Sequence, residues 1–242
     1  MEAGFYGVAT VGSFMGTGVS DAKACTLDGV VKLAHPSAPY TVANEYICGR
    51  LATAIGLPTP PGTIAKLDDG TLAYVMLRFG LKGDKPPPAD PVLIVSNKAR
   101  LAAGVVVFDD WILNFDRHVA NMAYVPDAGL SIFDHGLALL GATDGGAVAH
   151  LAAQTNTVCL GGSLVPHLSK AEDLFRWASR IRQVDDELVR EVCDTPRRLG
   201  AITKEEAAAA SSTLITRKAA LWQHVNDNQA NFPAVTDWGL TA

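Results

Sequence analysis

Between residues 41 and 57 an apolar residue recurs at every fourth position, Ala43, Ile47, Leu51 and Ile55, and the run then meets Gly56 and Pro58. That period fits the 3.6-residue turn of an α-helix and Gly-x-Pro supplies the stop, so an amphipathic helix is expected. The flanking stretches follow another pattern. GFYGVATVG (4–12) is strand-like, GTGVSDAK (16–23) is a Gly- and Ser-rich loop, and ACTLDGVVKLA (24–34) reads as a hairpin closed by Asp28-Gly29. GTIAKLDDGTLAYVMLRF (62–79) reads as a second hairpin, turning at Asp69-Gly70 into the β-prone run LAYVMLRF.

The pattern changes again at GLKGDKPPPADP (80–91), where Gly, Lys and four prolines favour an extended connection. Beyond it, Leu101, Val105, Phe108 and Ile112 form the stripe of a helix over 97–114, with Asn97 as its expected cap. Ser169-x-x-Glu172 and Thr203-x-x-Glu206 are capping-box signatures that open two further helical stretches, the second containing AAAASS at 207–212. The expected class is α+β in two lobes: a small β-rich N-lobe with one helix over 1–80, a linker over 81–96, and a larger, mainly helical C-lobe over 97–242. Clefts between such lobes are common ligand sites.

Composition narrows the function classes. With 48% hydrophobic and 19% charged residues the chain can bury a substantial core. A net charge of −5 supplies no global field for a nucleic-acid backbone, and direct nucleic-acid binding is not expected. Cys25, Cys48, Cys159 and Cys193 form no C-x-x-C pair, so free thiols in a reducing cytoplasm are expected. No uninterrupted apolar run approaches the roughly 20 residues that span a bilayer, so no membrane association is expected. The histidines have no partner spacing for zinc.

The chemistry concentrates at 114–136, NFDRHVANMAYVPDAGLSIFDHG. The segment reads as loop, short strand NMAYV, turn PDAG, short strand LSIF, then DHG. If the strands pair, Asn121 and Asp134 meet at one end of the hairpin and Asp116 lies beside both. Oxygen donors of this kind suit a hard cation, so Mg²⁺ is favoured over Zn²⁺. Such a set serves phosphoryl transfer, which needs metal neutralisation of the phosphates, a carboxylate for the attacking hydroxyl and a fixed cation. Lys32, on a strand with apolar neighbours, is the candidate cation, with Glu45 of the following helix as its partner. Ser13, Gly16, Thr17 and Gly18, in SFMGTGVSDAK, offer a loop whose amides can cradle phosphate oxygens. Asp127 reads as a turn-former, and Asp109 and Asp110 as structural acids, the pair salt-bridging to Arg117, which itself reads equally as a loop brace or a phosphate contact. His118 reads chiefly as a brace of its loop, with a share in the catalytic set as the second reading.

N-x-D-R-H-x-x-N (Asn114 to Asn121) followed by I-F-D-H-G (Ile132 to Gly136) resembles the catalytic and metal loops of the phosphatidylinositol 3/4-kinase-like branch of the kinase fold, especially HipA-like kinases. VVKLA, NEYICGRLATAIGLPTP and YVMLRF resemble their lysine strand, helix and hinge strand, so the similarity runs from about residue 10 to 140. The resemblance implies a kinase using ATP and Mg²⁺, with Asp116 as catalytic base, Asn121 and Asp134 on the metal, and Lys32 on the ATP phosphates. It also implies that Met76, Arg78 and Phe79 lie against adenine through backbone groups. A protein hydroxyl is the expected acceptor, and an antitoxin-like regulator is among the partners implied. A lipid or small-molecule kinase and a catalytically weak ATP-binding module are the alternatives. His135 departs from the family pattern in the middle of D-x-G, and the Gly-rich loop is not the usual protein-kinase glycine pattern.

Overall fold

The computed structural model describes residues 8–14, 22–78, 89–125, 129–141 and 146–240. Strands β1 (Val8–Phe14) and β2 (Lys23–Leu27) pair antiparallel. One residue later β3 (Gly29–Leu33) begins, but it pairs with β5 (Leu72–Leu77), whose other edge carries β4 (Gly62–Lys66). The hairpin expected at Asp28-Gly29 is therefore not formed. A tight hairpin needs two loop residues, and here only Asp28 separates strands that each have another partner. Asp28 is instead a joint between two sheets: its carbonyl accepts from the Arg78 amide at 3.0 Å. The second expected hairpin, β4 to β5, does form, with Gly70 at φ +87° and the Asp69 carboxylate accepting from the Thr71 amide at 2.8 Å.

Helix α1 (Thr41–Ala54) forms where the four-residue period placed it, and Gly56 at φ +76° ends it. Its stripe residues Ala43, Ile47, Leu51 and Ile55 are all buried. One side of α1 faces β3, β4 and β5; the other packs against α5 (Asp186–Arg198) of the helical lobe. Tyr40, before its first turn, donates to Glu206 at 2.6 Å.

The next helix differs from its expected bounds. α2 spans Pro91–Trp111, capped by Asp90, whose carboxylate accepts from the Val92 and Leu93 amides at 2.9 and 3.3 Å. Residues 91–96 therefore belong to this helix and not to a linker. Helical geometry breaks at Lys98, and Asn97 does not cap the segment after it. Its amide donates back to the Leu93 carbonyl at 2.9 Å, closing the segment before. By length and composition α2 could cross a bilayer, but the run from Ala102 to Trp111 is buried in the protein core.

β6 (Met122–Val125) and β7 (Gly129–Ile132) form the hairpin that the polar cluster required, with Met122 opposite Ile132; Asp127 and the rest of its tip, 126–128, lie outside the described residues. The chain continues through α3 (Ala147–Gln154), α4 (Ala171–Arg182), α5 and α6 (Lys204–Asp227). The Thr203/Glu206 capping box is present at the start of α6. The Ser169/Glu172 box is not: α4 begins one residue later than that signature needs, and the Asp237 carboxylate accepts from the Ala171 amide at 2.9 Å.

One hydrophobic core joins α1, α2, the β6–β7 hairpin and α4 to α6. At its centre Trp111 is fully buried and donates to the Leu214 carbonyl at 2.8 Å. Gly104 lets α4 approach α2, because the Trp177 ring occupies the space a Cβ would fill. All four cysteines are free thiols, Cys25 exposed and the others buried.

Candidate active site

Lys32 stands on β3 opposite Tyr74, and its ammonium reaches two carboxylates from distant parts of the chain. It donates to Glu45 Oε1 on α1 at 2.5 Å and to Asp134 Oδ1 after β7 at 2.8 Å. Burial alone would favour neutral Lys32, but the two carboxylates outweigh it and raise its pKa. Glu45 is 2% exposed, and burial pushes its pKa up. Hydrogen bonding to His135 and the charge of Lys32 prevail, bringing it down to about 2.

Glu45 is also the hub of the DHG segment. Its Oε1 accepts from the His135 amide at 3.0 Å, and the His135 ring lies beneath it, Nδ1 3.8 Å from Oε2. The ring is buried edge-on to Phe108, with centroids 6.0 Å apart, and burial lowers its pKa, which keeps it neutral. His135 thus forms a polar floor under Glu45, a role its sequence position did not reveal. Next to Glu45, the buried Asn44 amide donates to the Gly136 carbonyl at 2.8 Å and accepts from the Leu140 amide at 3.1 Å. Asn44 escaped notice because an Asn on a helix carries no motif; its pairing with Glu45 on one buried turn is the signal that was available.

Asp134 has φ +63°, the left-handed region that most non-glycine residues avoid. The backbone around it is fixed on both sides. The Phe133 amide donates to the Asn121 carbonyl at 3.1 Å, and the Arg117 guanidinium donates to the Asn121 and Phe133 carbonyls at 2.9 and 2.7 Å. Arg117 is in turn held by buried Asp109, Nε to Oδ2 at 3.0 Å, and the same carboxylate accepts from Asn114 at 2.8 Å. Arg117 is therefore a brace, as the expected pairing with Asp109 implies. Asp110 serves a different network: it pairs with fully buried Arg217 at 3.0 Å and with His224 at 2.7 Å.

Asn121 donates to the Asp116 carbonyl at 2.8 Å, and its Nδ2 lies 3.5 Å from Asp116 Oδ2. The hairpin thus brings Asp116 beside Asn121, and Asn121 beside Phe133 and Asp134. Half-exposed Asp116 is free to meet a substrate. His118 caps a 3-10 turn (Val119–Asn121), its Nδ1 accepting from the Ala120 amide at 3.2 Å, while Nε2 stays 4.0 Å from Asp116. That is the bracing role. With the Asn121 amide nitrogen committed to Asp116, its oxygen is the end left for a cation. This oxygen and the half-exposed Asp134 carboxylate are hard donors of the kind that Mg²⁺ takes, alongside water and phosphate. Among the described residues no group of three His, Cys, Asp or Glu is spaced to hold a metal by itself.

Of the other predicted residues, Ser13 is exposed on β1, whereas Gly16, Thr17, Gly18 and Phe79 lie outside the described residues. Met76 lies in register with Val30 on one side and Gly62 on the other, and its side chain packs with Val42 and Tyr74. The Arg78 amide is bonded to the Asp28 carbonyl at 3.0 Å, which takes it up as a donor.

No family model matches the chain, and no curated protein matches it. Solved structures do. The Helicobacter pylori proinflammatory kinase CtkA superposes with a TM-score of 0.60 at 13% identity, covering 90% of this chain and 96% of that one. A chain of the Shewanella oneidensis MR-1 toxin–antitoxin complex of HipA, HipB and operator DNA matches with a TM-score of 0.47 at 16% identity, covering 86% of this chain and 62% of that one. The two-lobed kinase-like fold is thus borne out by the similarity to CtkA.

Proposed function

We propose that this chain, folded like a bacterial kinase, is an ATP- and Mg²⁺-dependent phosphotransferase acting on a protein hydroxyl. The observation that carries the reading is the Lys32 ammonium, held between Glu45 and Asp134 from residues 13 and 102 positions away. A surface lysine would not be braced by a buried carboxylate and placed beside a strained, oxygen-rich loop. In this reading Lys32 binds the ATP phosphates, and Asn121 and Asp134 hold Mg²⁺, which supplies neutralisation of phosphate charge. Asp116 orients the acceptor hydroxyl and takes its proton, a role typically contributing about 10²- to 10⁴-fold. Glu45 and His135 position Lys32 and the metal loop.

A protein acceptor is favoured over a small one by the groove beside the catalytic loop. Phe115 is 59% exposed although its neighbour Asn114 is buried, and it lines a cavity of about 250 Å³ with Val158 and Leu160 on one part and Asn228 and Asn231 on another. An extended peptide presenting an apolar side chain next to its hydroxyl fits such a groove; a lone small alcohol would leave it empty.

The test is transfer of labelled γ-phosphate from ATP with Mg²⁺ to a mixture of serine- and threonine-containing peptides and proteins. Asp116→Asn should retain nucleotide binding and lose transfer about 10²-fold or more, while Asp134→Asn should lose transfer and Mg²⁺-dependent nucleotide binding together. A wild-type chain that binds no Mg²⁺-nucleotide overturns the proposal, and one that binds but transfers to no hydroxyl reduces it to nucleotide binding.

A further inference from the structure

On another face from Lys32, α2 and α4 border a second polar constellation, with Trp222 of α6 at its side. A cavity of about 630 Å³ is lined by Arg100, Arg176, Arg180, Phe175, Trp222 and Asp237, among others. The same three arginines also line a smaller cavity of about 280 Å³ that reaches Gly56 and Trp177. Neither contains Lys32, Asp116, Asn121 or Asp134.

Arg176 and Arg180 are one turn apart on α4, a like-charge spacing that costs a helix a few tenths of a kcal/mol. Arg100 adds a third guanidinium from α2. The acids in the cleft are already engaged: Glu172 pairs with Arg176, and Asp237 caps α4 at Ala171. Arg180 rests on the Trp177 ring, 5.4 Å from its centroid, and Trp177 donates to the Arg100 carbonyl at 2.5 Å. Gly56 leaves room for the Arg180 guanidinium, which would lie 3.0 Å from any Cβ at that position. The Arg180 guanidinium is thus held against Trp177, and neither it nor that of Arg100 has an acidic partner among the described residues. Beside them Trp222 is 40% exposed and stacks on Phe175 at 4.9 Å.

Arginine forks with an exposed indole suit carboxylates carried on a chain that also has an aromatic or apolar side chain. The exposed Trp222 indole beside the guanidiniums favours a chain that carries a ring next to its acids over a polyphosphate or a lipid headgroup, for which the charges alone would serve. We propose that this cleft docks an acidic, aromatic-containing segment of a partner protein, at a place separate from the phosphoryl-transfer site. The inference stands independently of the kinase reading.

The probe is a glutamate–tyrosine copolymer, followed by its effect on Trp222 fluorescence and by salt dependence. Arg100→Gln with Arg180→Gln keeps much of the packing stems and removes the charges. Affinity should fall at least about tenfold, with the melting temperature unchanged, while Trp222→Phe should remove most of the optical signal, leaving that of Trp177 beneath Arg180, and retain binding measured by calorimetry. A lysine–tyrosine copolymer and inorganic phosphate should not compete. Unchanged affinity in the double variant, or displacement by inorganic phosphate, overturns the proposal. Displacement by phosphatidylserine vesicles overturns it in favour of a lipid surface. If the double variant melts early, the single Arg100→Gln replaces it, with a smaller loss of copolymer affinity expected and no loss counting against the site.

Discussion

Helix α1 and the β1–β2 pair both belong to the N-terminal part of the chain, yet they are stabilised in opposite ways. In α1, Ile47, Cys48, Leu51 and Ala52 are fully buried and share a core with α2, α4, α5 and α6. In β2 every side chain is exposed. The half of the candidate site that depends on α1, Glu45 and Asn44 is therefore held by the helical lobe. Upstream of Lys32 lies a two-stranded ribbon whose described side chains, at 9–13 and 23–27, are exposed. A paired ribbon of that kind is marginal alone, whereas a buried helix inherits the stability of the whole core.

The contrast can be broken most strongly at Leu51. Leu51→Ala should cost about 2–5 kcal/mol in urea unfolding, because the surrounding helices cannot collapse onto the cavity. It should also weaken nucleotide binding by loosening the helix that carries Glu45. Next comes Glu45, whose carboxyl lies at about 2 in the folded protein against an ordinary 4.5. A depressed acid stabilises the fold above its unfolded pKa, and that stability drains away as pH falls from about 4.5 toward 2, on the order of 3 kcal/mol in all. Glu45→Gln should flatten this acid limb in denaturation measured across pH. If the limb keeps its slope, the Lys32–Glu45–His135 cluster is not what stabilises the joint between the lobes.

Asn44→Ala should cost about 1–3 kcal/mol by leaving the Gly136 carbonyl and Leu140 amide unpaired. The same variant should lower phosphate transfer, measured with labelled ATP, through movement of the Asp134 loop. The smallest effect is expected on the ribbon: Val11→Thr, at an exposed position, should change thermal stability by less than about 0.5 kcal/mol. A larger loss would mean that the ribbon is more firmly docked than its exposure implies.

Much of this arrangement was legible from local patterns. The period of α1, the β4–β5 turn at Asp69-Gly70 and the β6–β7 hairpin were each written in residues close together in the chain, and each formed. The polar cluster followed, since a hairpin suffices to set Asn121 beside Phe133 and Asp134. What remained hidden depended on distant partners. Asp28-Gly29 has the composition of a hairpin tip, but the pairing of β3 with β5 was decided by residues 40 to 48 positions away. Ser169 was a sound cap by composition, and the group that bonds the first amide of α4 came from Asp237. His135 was opaque for the same reason: its partner is Glu45, and nothing near it in sequence says that a carboxylate will lie above its ring.

The burial of α1 against α5 has one more consequence. In the chain, the proline-rich stretch around residue 86 separates two compositions, but the core does not divide there. Two polypeptides made separately from the parts before and after it would each expose an apolar surface shaped to fit the other. Such fragments are suited to reassembly on mixing, with the Lys32–Asp134 contact re-forming only in the joined pair, so that the site itself would report that the two pieces had met.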